Sequence, residues 1–165
     1  MLPSAEKWHM KIRTDMLYPI GIQSFSEIRE GGYVYVDKTA AVYNLASTGK
    51  YYFLSRPRRF GKSLLISTME AYFSGRKELF NGLAIADLEK EWVEYPVLRL
   101  DLTGSRYMSV EDLLINLDQH LTFWEKRYNV GQKFEEPAAR FKAVIDAACA
   151  RTGSKVVILI DEYDA

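Results

Sequence analysis

Residues 53–65 read FLSRPRRFGKSLL, and the fold turns on how the middle of this stretch is read. Its second half, Gly61-Lys62-Ser63, closes a phosphate-loop pattern, G-x-x-x-x-G-K-[ST], spelled R-P-R-R-F-G-K-S at positions 56–63. Ahead of it, Tyr51 to Ser55 (YYFLS) is a compact run of strand formers. Behind it, KSLLISTMEAYFSG carries apolar residues at 64, 65, 69, 72 and 73, a helical spacing, with Gly75 past its end. Strand, loop, helix is the setting such a motif needs. Amides at a helix start point outward unpaired and carry positive potential. Gly61 lets the backbone approach a phosphate, Lys62 reaches the β and γ phosphates, and Ser63 offers a hydroxyl to Mg²⁺. Arg56 stands where the pattern has its first glycine, so the loop entrance cannot easily use positive φ and takes another path. Taken alone, the fragment also reads as a basic turn capping a helix.

A second stretch bears on that choice. KVVILIDEYDA closes the chain, and Val156 to Ile160 is a continuous aliphatic run, expected of a strand buried on both faces of a parallel sheet. It ends in Asp161-Glu162. Asp161 can hold Mg²⁺ through its water shell, and Glu162 can orient the attacking water. Acidic residues also end strands simply as turn formers. The two motifs, however, fall in the right order, each at the C-terminal end of a predicted strand. On neighbouring strands, Lys62, Ser63, Asp161 and Glu162 would converge on one Mg-triphosphate.

The remaining chain fits around them. Tyr33 to Val36 reads as a short strand, followed by a helix over Thr39 to Ala46 with Asp37 as its cap and Gly49 closing it. Pro96 to Leu102 reads as another apolar strand. Ser109 and Asp112 form a capping box before a helix whose stripe is Val110, Leu113, Leu117, Leu121 and Trp124. A further helix starts at Pro137 with Phe141, Val144, Ile145 and Ala148 inward. Alternating strands and helices give an α/β fold with a mostly parallel sheet.

Composition narrows the rest. The 165 residues are 48% apolar and 13% aromatic, enough for one packed domain. The 22 basic and 22 acidic residues balance, which argues against a general polyanion binder and makes nucleic acid an unexpected partner for this segment. Cys149 is the single cysteine, so no internal disulfide or zinc cluster is expected, and it reads as a small apolar helix residue. No run reaches the ~18 apolar residues of a membrane helix, no secretory signal is visible, and a cytoplasmic location is the default. Residues 1–17 read as a tail, and 18–165 as the domain.

On these residues the chain resembles the bacterial AAA-ATPase-like family. The likeness runs over Tyr18 to Ile85, then WVEYPVLRLDLTG and VVILIDEYD, and its most specific block is FLSRPRRFGKS. Arg56 belongs to that family's usual loop variant, which is similar to the G-P-R-R-x-G-K-[ST] loop of archaeal-type P-loop ATPases. The resemblance implies a P-loop three-layer sandwich that binds ATP and Mg²⁺. Its nucleotide run falls on Arg58, Arg59, Phe60, Gly61, Lys62, Ser63 and Leu64. Its metal residues fall on Ser63 and Asp161, and its catalytic residues on Lys62 and Glu162. Full-length relatives continue past this segment and often carry a domain resembling PD-D/E-x-K nucleases. By that comparison the chain is a partial sandwich, truncated after the Walker B strand, with an open edge expected beside Tyr51 to Ser55 and Val156 to Ile160.

Some readings stay double. Arg58 and Arg59 can contact phosphates or be solvated or paired elsewhere. Asp101 can reach the site or cap a turn. Tyr33 and Tyr35 can pack near an adenine or in the core. His9 and His120 show no telling spacing. For function, an Mg-ATP hydrolysing module that drives or switches attached domains stands against a nucleotide-gated interaction module that binds without turnover. A nucleic-acid-handling role rests only on the relatives' nuclease-like domain.

Overall fold

The computed structural model describes residues 17–55, 57, 60–102 and 109–162. Its elements are α1 (Phe25–Glu30), α2 (Thr39–Thr48), α3 (Lys62–Phe73), a 3₁₀ turn (Lys77–Phe80), α4 (Ala84–Leu88), β1 (Val97–Asp101), α5 (Val110–Tyr128), α6 (Pro137–Thr152) and β2 (Val157–Asp161).

β1 and β2 pair in parallel, with Val97 opposite Val157 and Asp101 opposite Asp161. Between them the chain leaves through α5 and returns through α6, the crossover that parallel strands require. Period-two alternation divides the sheet's faces. Leu98 is fully buried in a cluster with Leu121, Trp124, Val144 and Ala148, so α5 and α6 cover that face. Its neighbour Arg99 points the other way, to Glu70 of α3. The result is helix, sheet, helix, a mixed α/β arrangement around two parallel strands.

The helix boundaries follow local chemistry. The Asp112 amide donates to the Ser109 hydroxyl, and the Ser109 amide donates back to the Asp112 carboxylate, completing the capping box. Asp37 works on two helices at once. One carboxylate oxygen accepts from the Thr39 amide at 2.8 Å and the Thr39 hydroxyl at 2.7 Å. The other accepts from the Ala84 amide at 2.7 Å, at the start of α4. A second cluster, Phe25, Val42, Ala71, Leu79, Phe80, Leu83 and Ile85, lies among α1 to α4. α3 meets it with small residues, Ala71, Ser67 and Thr68, and the Ser67 hydroxyl accepts from the buried Phe25 amide at 2.9 Å.

Four expectations need correction. Tyr51 to Ser55 is not a strand: Tyr51 and Phe53 are 94% and 74% exposed, and no ladder runs beside them among the described residues. Strand propensity reflects packing against neighbours, and without them it does not act. Tyr33 to Val36 joins no ladder among the described residues for the same reason, its backbone bonds being those from the Tyr33 amide to the Ile28 carbonyl and from the Val34 amide to the Leu17 carbonyl. β2 is not buried on both faces. Leu159 and Asp161 are buried toward α3, while Ile158 and Ile160 are 42% and 44% exposed. On α5, Leu121 and Trp124 are buried, but Val110 and Leu113 at the head of the same stripe are exposed. Residues 1–16, Arg56, Arg58 and Arg59 lie outside the described residues.

Candidate functional site

α3 begins where the phosphate-loop motif ends. Gly61 is its N-cap at φ 72° and ψ 27°, a left-handed conformation that costs other residues about 1 kcal/mol or more. A Cβ there would meet nothing within 4 Å, so the backbone and not crowding requires glycine, and the space beside the helix start is open. No side chain among the described residues caps this start. The first amide bonding back is that of Leu65, to the Gly61 carbonyl at 3.0 Å. The amides of Lys62, Ser63 and Leu64 therefore have no acceptor within the helix, and the positive end of a 12-residue helix is presented outward. Phe60 is exposed just before it. Leu64 packs against the α1–α4 cluster, so only its amide can serve a ligand.

The second motif lies at the end of β2. Asp161 is 2% exposed, and its Oδ2 has no hydrogen-bond partner. One guanidinium nitrogen of Arg99 is 3.5 Å from that oxygen. Glu162 follows at φ 55°. A left-handed glutamate is a local strain of about 1–3 kcal/mol, of the kind that collects at functional sites.

α3 packs against β2 and also touches β1. Ser63, Ser67 and Glu70 fall along one side of α3, because positions four and seven apart align. Ser63 lies two turns, about 10 Å, along the axis from Glu70, and Glu70 accepts a 3.0 Å hydrogen bond from Arg99. Thus Lys62 and Ser63 open the helix that leans on the strand carrying Asp161 and Glu162.

Other candidates resolve differently. Asp101 sits opposite Asp161, and its carboxylate lies 3.6 Å from Arg99. His120 is half-buried, stacks on Trp124, and brings a ring nitrogen within 3.3 Å of the Asp101 carbonyl, a packing role. Tyr35 packs edge-on against Phe25 with ring centres 5.1 Å apart, and burial pushes its phenol above the usual range. It is a core residue. Cys149 is half-buried on α6. Sequence reasoning passed over Arg99 and Glu70. The available signal was a charge in the middle of the apolar strand VLRLD, which must find a partner.

These donors fit a phosphate and a divalent cation: an uncapped helix start, a left-handed glycine, and a buried carboxylate oxygen with no hydrogen bond. Among the described residues no three His, Cys, Asp or Glu side chains form a ready-made metal cage. A Mg²⁺ that arrives on phosphates needs only one or two protein groups.

The family described as "Predicted AAA-ATPase" matches residues 19–165. The chain belongs to this AAA-ATPase-like family. Among curated proteins, an uncharacterized protein in the vnfD 5′ region of Azotobacter chroococcum mcd 1 is 44% identical over 147 residues. The match covers 88% of this chain and 28% of that protein. No solved structure matches the chain. Family membership makes nucleotide binding the general expectation. Among the described residues, no helix is long and apolar enough to cross a membrane.

Proposed function

We propose that this chain is the nucleotide-binding part of an ATPase that binds Mg-ATP at the start of α3 and hydrolyses it. One observation carries the reading. The uncapped, glycine-entered helix start bearing Lys62 and Ser63 belongs to the helix packed against the strand that ends in buried Asp161.

In this reading the amides of Lys62, Ser63 and Leu64 hold phosphate oxygens, and the Lys62 ammonium offsets their charge. Phe60 and Gly61 shape the entrance, with Arg58 and Arg59 as further phosphate contacts. Ser63 and Asp161 would hold Mg²⁺, which supplies charge neutralisation to the triphosphate when bound. Glu162 accepts a hydrogen bond from the attacking water and aligns it with the terminal phosphorus. Positioning and electrostatics together are what phosphoryl transfer asks of a protein. Because the chain covers 28% of its relative, we take the module as one part of a longer machine, with the nuclease-like domain implied by the family resemblance as its attached partner.

The test is titration of a fluorescent ATP analogue, with and without Mg²⁺, into the chain and two variants. Lys62→Ala should weaken binding at least tenfold. Glu162→Gln should bind as the parent does and lose turnover. Equal binding by Lys62→Ala would remove the phosphate site. Normal turnover by Glu162→Gln would remove the assignment of Glu162. Binding with no turnover even in the full-length parent would select the nucleotide-gated module instead.

A further inference from the structure

Arg99 stands in the middle of β1 between Leu98 and Leu100, and it faces α3. Its guanidinium is divided among three carboxylates. It donates to Glu70 at 3.0 Å, and lies 3.6 Å from Asp101 and 3.5 Å from Asp161. The first is a hydrogen bond, while the other two are looser ion pairs. Its Nε is buried without a partner. Asp161 has the greatest need of the guanidinium's charge, being the most buried of the three and having an Oδ2 without a hydrogen bond.

Resting on the proposed Mg-ATP reading, we propose that Arg99 is a positioning residue that stands in for the divalent cation at Asp161. Until metal and nucleotide arrive, it supplies the positive charge that a buried carboxylate requires. When they arrive, it withdraws to Glu70. Two features make the exchange feasible. Arg99 grips Asp161 by proximity alone, so no hydrogen bond has to break. It also borders a hollow of about 410 Å³ shared with Glu70, Ser67 and Ser24, which gives the guanidinium room to move. Glu70 then acts as the receiving partner: the harder it holds Arg99, the more open Asp161 is to metal.

This makes opposed predictions for two residues that touch neither phosphate nor metal. The measurement is Mn²⁺ affinity in the presence of a non-hydrolysable ATP analogue, read from the free Mn²⁺ resonance, alongside melting with and without Mn²⁺. Arg99→Gln should bind Mn²⁺ about tenfold more tightly, melt lower without it, and gain more on adding it. Glu70→Gln should bind Mn²⁺ several-fold more weakly, because Arg99 turns fully to Asp161. In the double variant the effect of Glu70→Gln should vanish, since the residue it acts through is gone.

Unchanged or weaker Mn²⁺ binding by Arg99→Gln overturns the proposal, as does a Glu70→Gln effect that persists in the double variant, which would be simple charge loss. Glu70 is 40% exposed, so its variants keep the question open to measurement if Arg99→Gln fails to fold. Failure of the underlying reading looks different: the parent then binds no Mn²⁺ that Asp161→Asn abolishes, and the proposal falls with it.

Discussion

At the scale of single residues, Glu162 combines strain with the proposed chemistry. Its φ of 55° is one that glutamate seldom adopts. The neighbouring Asp161 is buried and ends the ladder, with the Leu102 amide bonding its carbonyl at 3.2 Å. A residue optimised for the fold alone would be glycine or asparagine here. Glu162→Gly should therefore hold or raise stability, by up to about 1 kcal/mol, while turnover of ATP is lost. Thermal melting and a phosphate-release assay on the same sample check the two halves. A clear loss of stability would show that the Glu162 side chain supports the fold. Asp161 and Glu162 were legible in the sequence as a strand-ending acidic pair. The strain at one and the missing hydrogen bond at the other were not, since both arise from how the strand end meets α3.

At the scale of elements, capping signals carried through because they are local. The capping box of α5, proline at the start of α6 and Asp37 before α2 all appear where the chain spells them. What sequence could not show is that Asp37 also caps α4, 47 residues later. Burial alone would raise its carboxyl, but the amides of Ala84 and Thr39 and the Thr39 hydroxyl outweigh this and hold it below the usual range. The sign follows. The bonds favour the ionised form in the folded state, so their stabilisation is complete above about pH 4 and is lost as pH falls through the lowered folded-state value. Asp37→Ala should cost about 1–2 kcal/mol, a cap's contribution at each of two helices. Asp37→Asn should flatten the acid limb of the stability curve, since it cannot titrate and offers an amide to the Ala84 amide. Denaturant unfolding from pH 3 to 7 measures both, and an unaltered acid limb in Asp37→Asn would remove Asp37 as its source.

At the scale of the whole molecule, the strand signals were the least reliable because strands depend on neighbours far away in sequence. Pro96 to Leu102 and Val156 to Ile160 found each other. Tyr51 to Ser55, equally strand-like by composition, joins no ladder among the described residues, and Tyr51 and Phe53 are largely exposed. The same lack leaves Ile158 and Ile160 over 40% exposed at the margin of the face that α5 and α6 cover, on a strand that pairs with β1 alone among the described residues. Exposed aliphatic residues on an edge strand are a template for a second chain. The protein should therefore self-associate as its concentration rises. Replacing both isoleucines by threonine keeps β-branched residues in the strand and removes the apolar face. The double variant should sediment as a monomer at concentrations where the parent forms larger species, with melting lowered only slightly because both positions are already over 40% exposed. A parent that is monodisperse across the same range would mean that this face is covered in solution. Association unchanged in the double variant would move the contact to the exposed Tyr51 and Phe53, beside the phosphate loop, where bound nucleotide should then alter it.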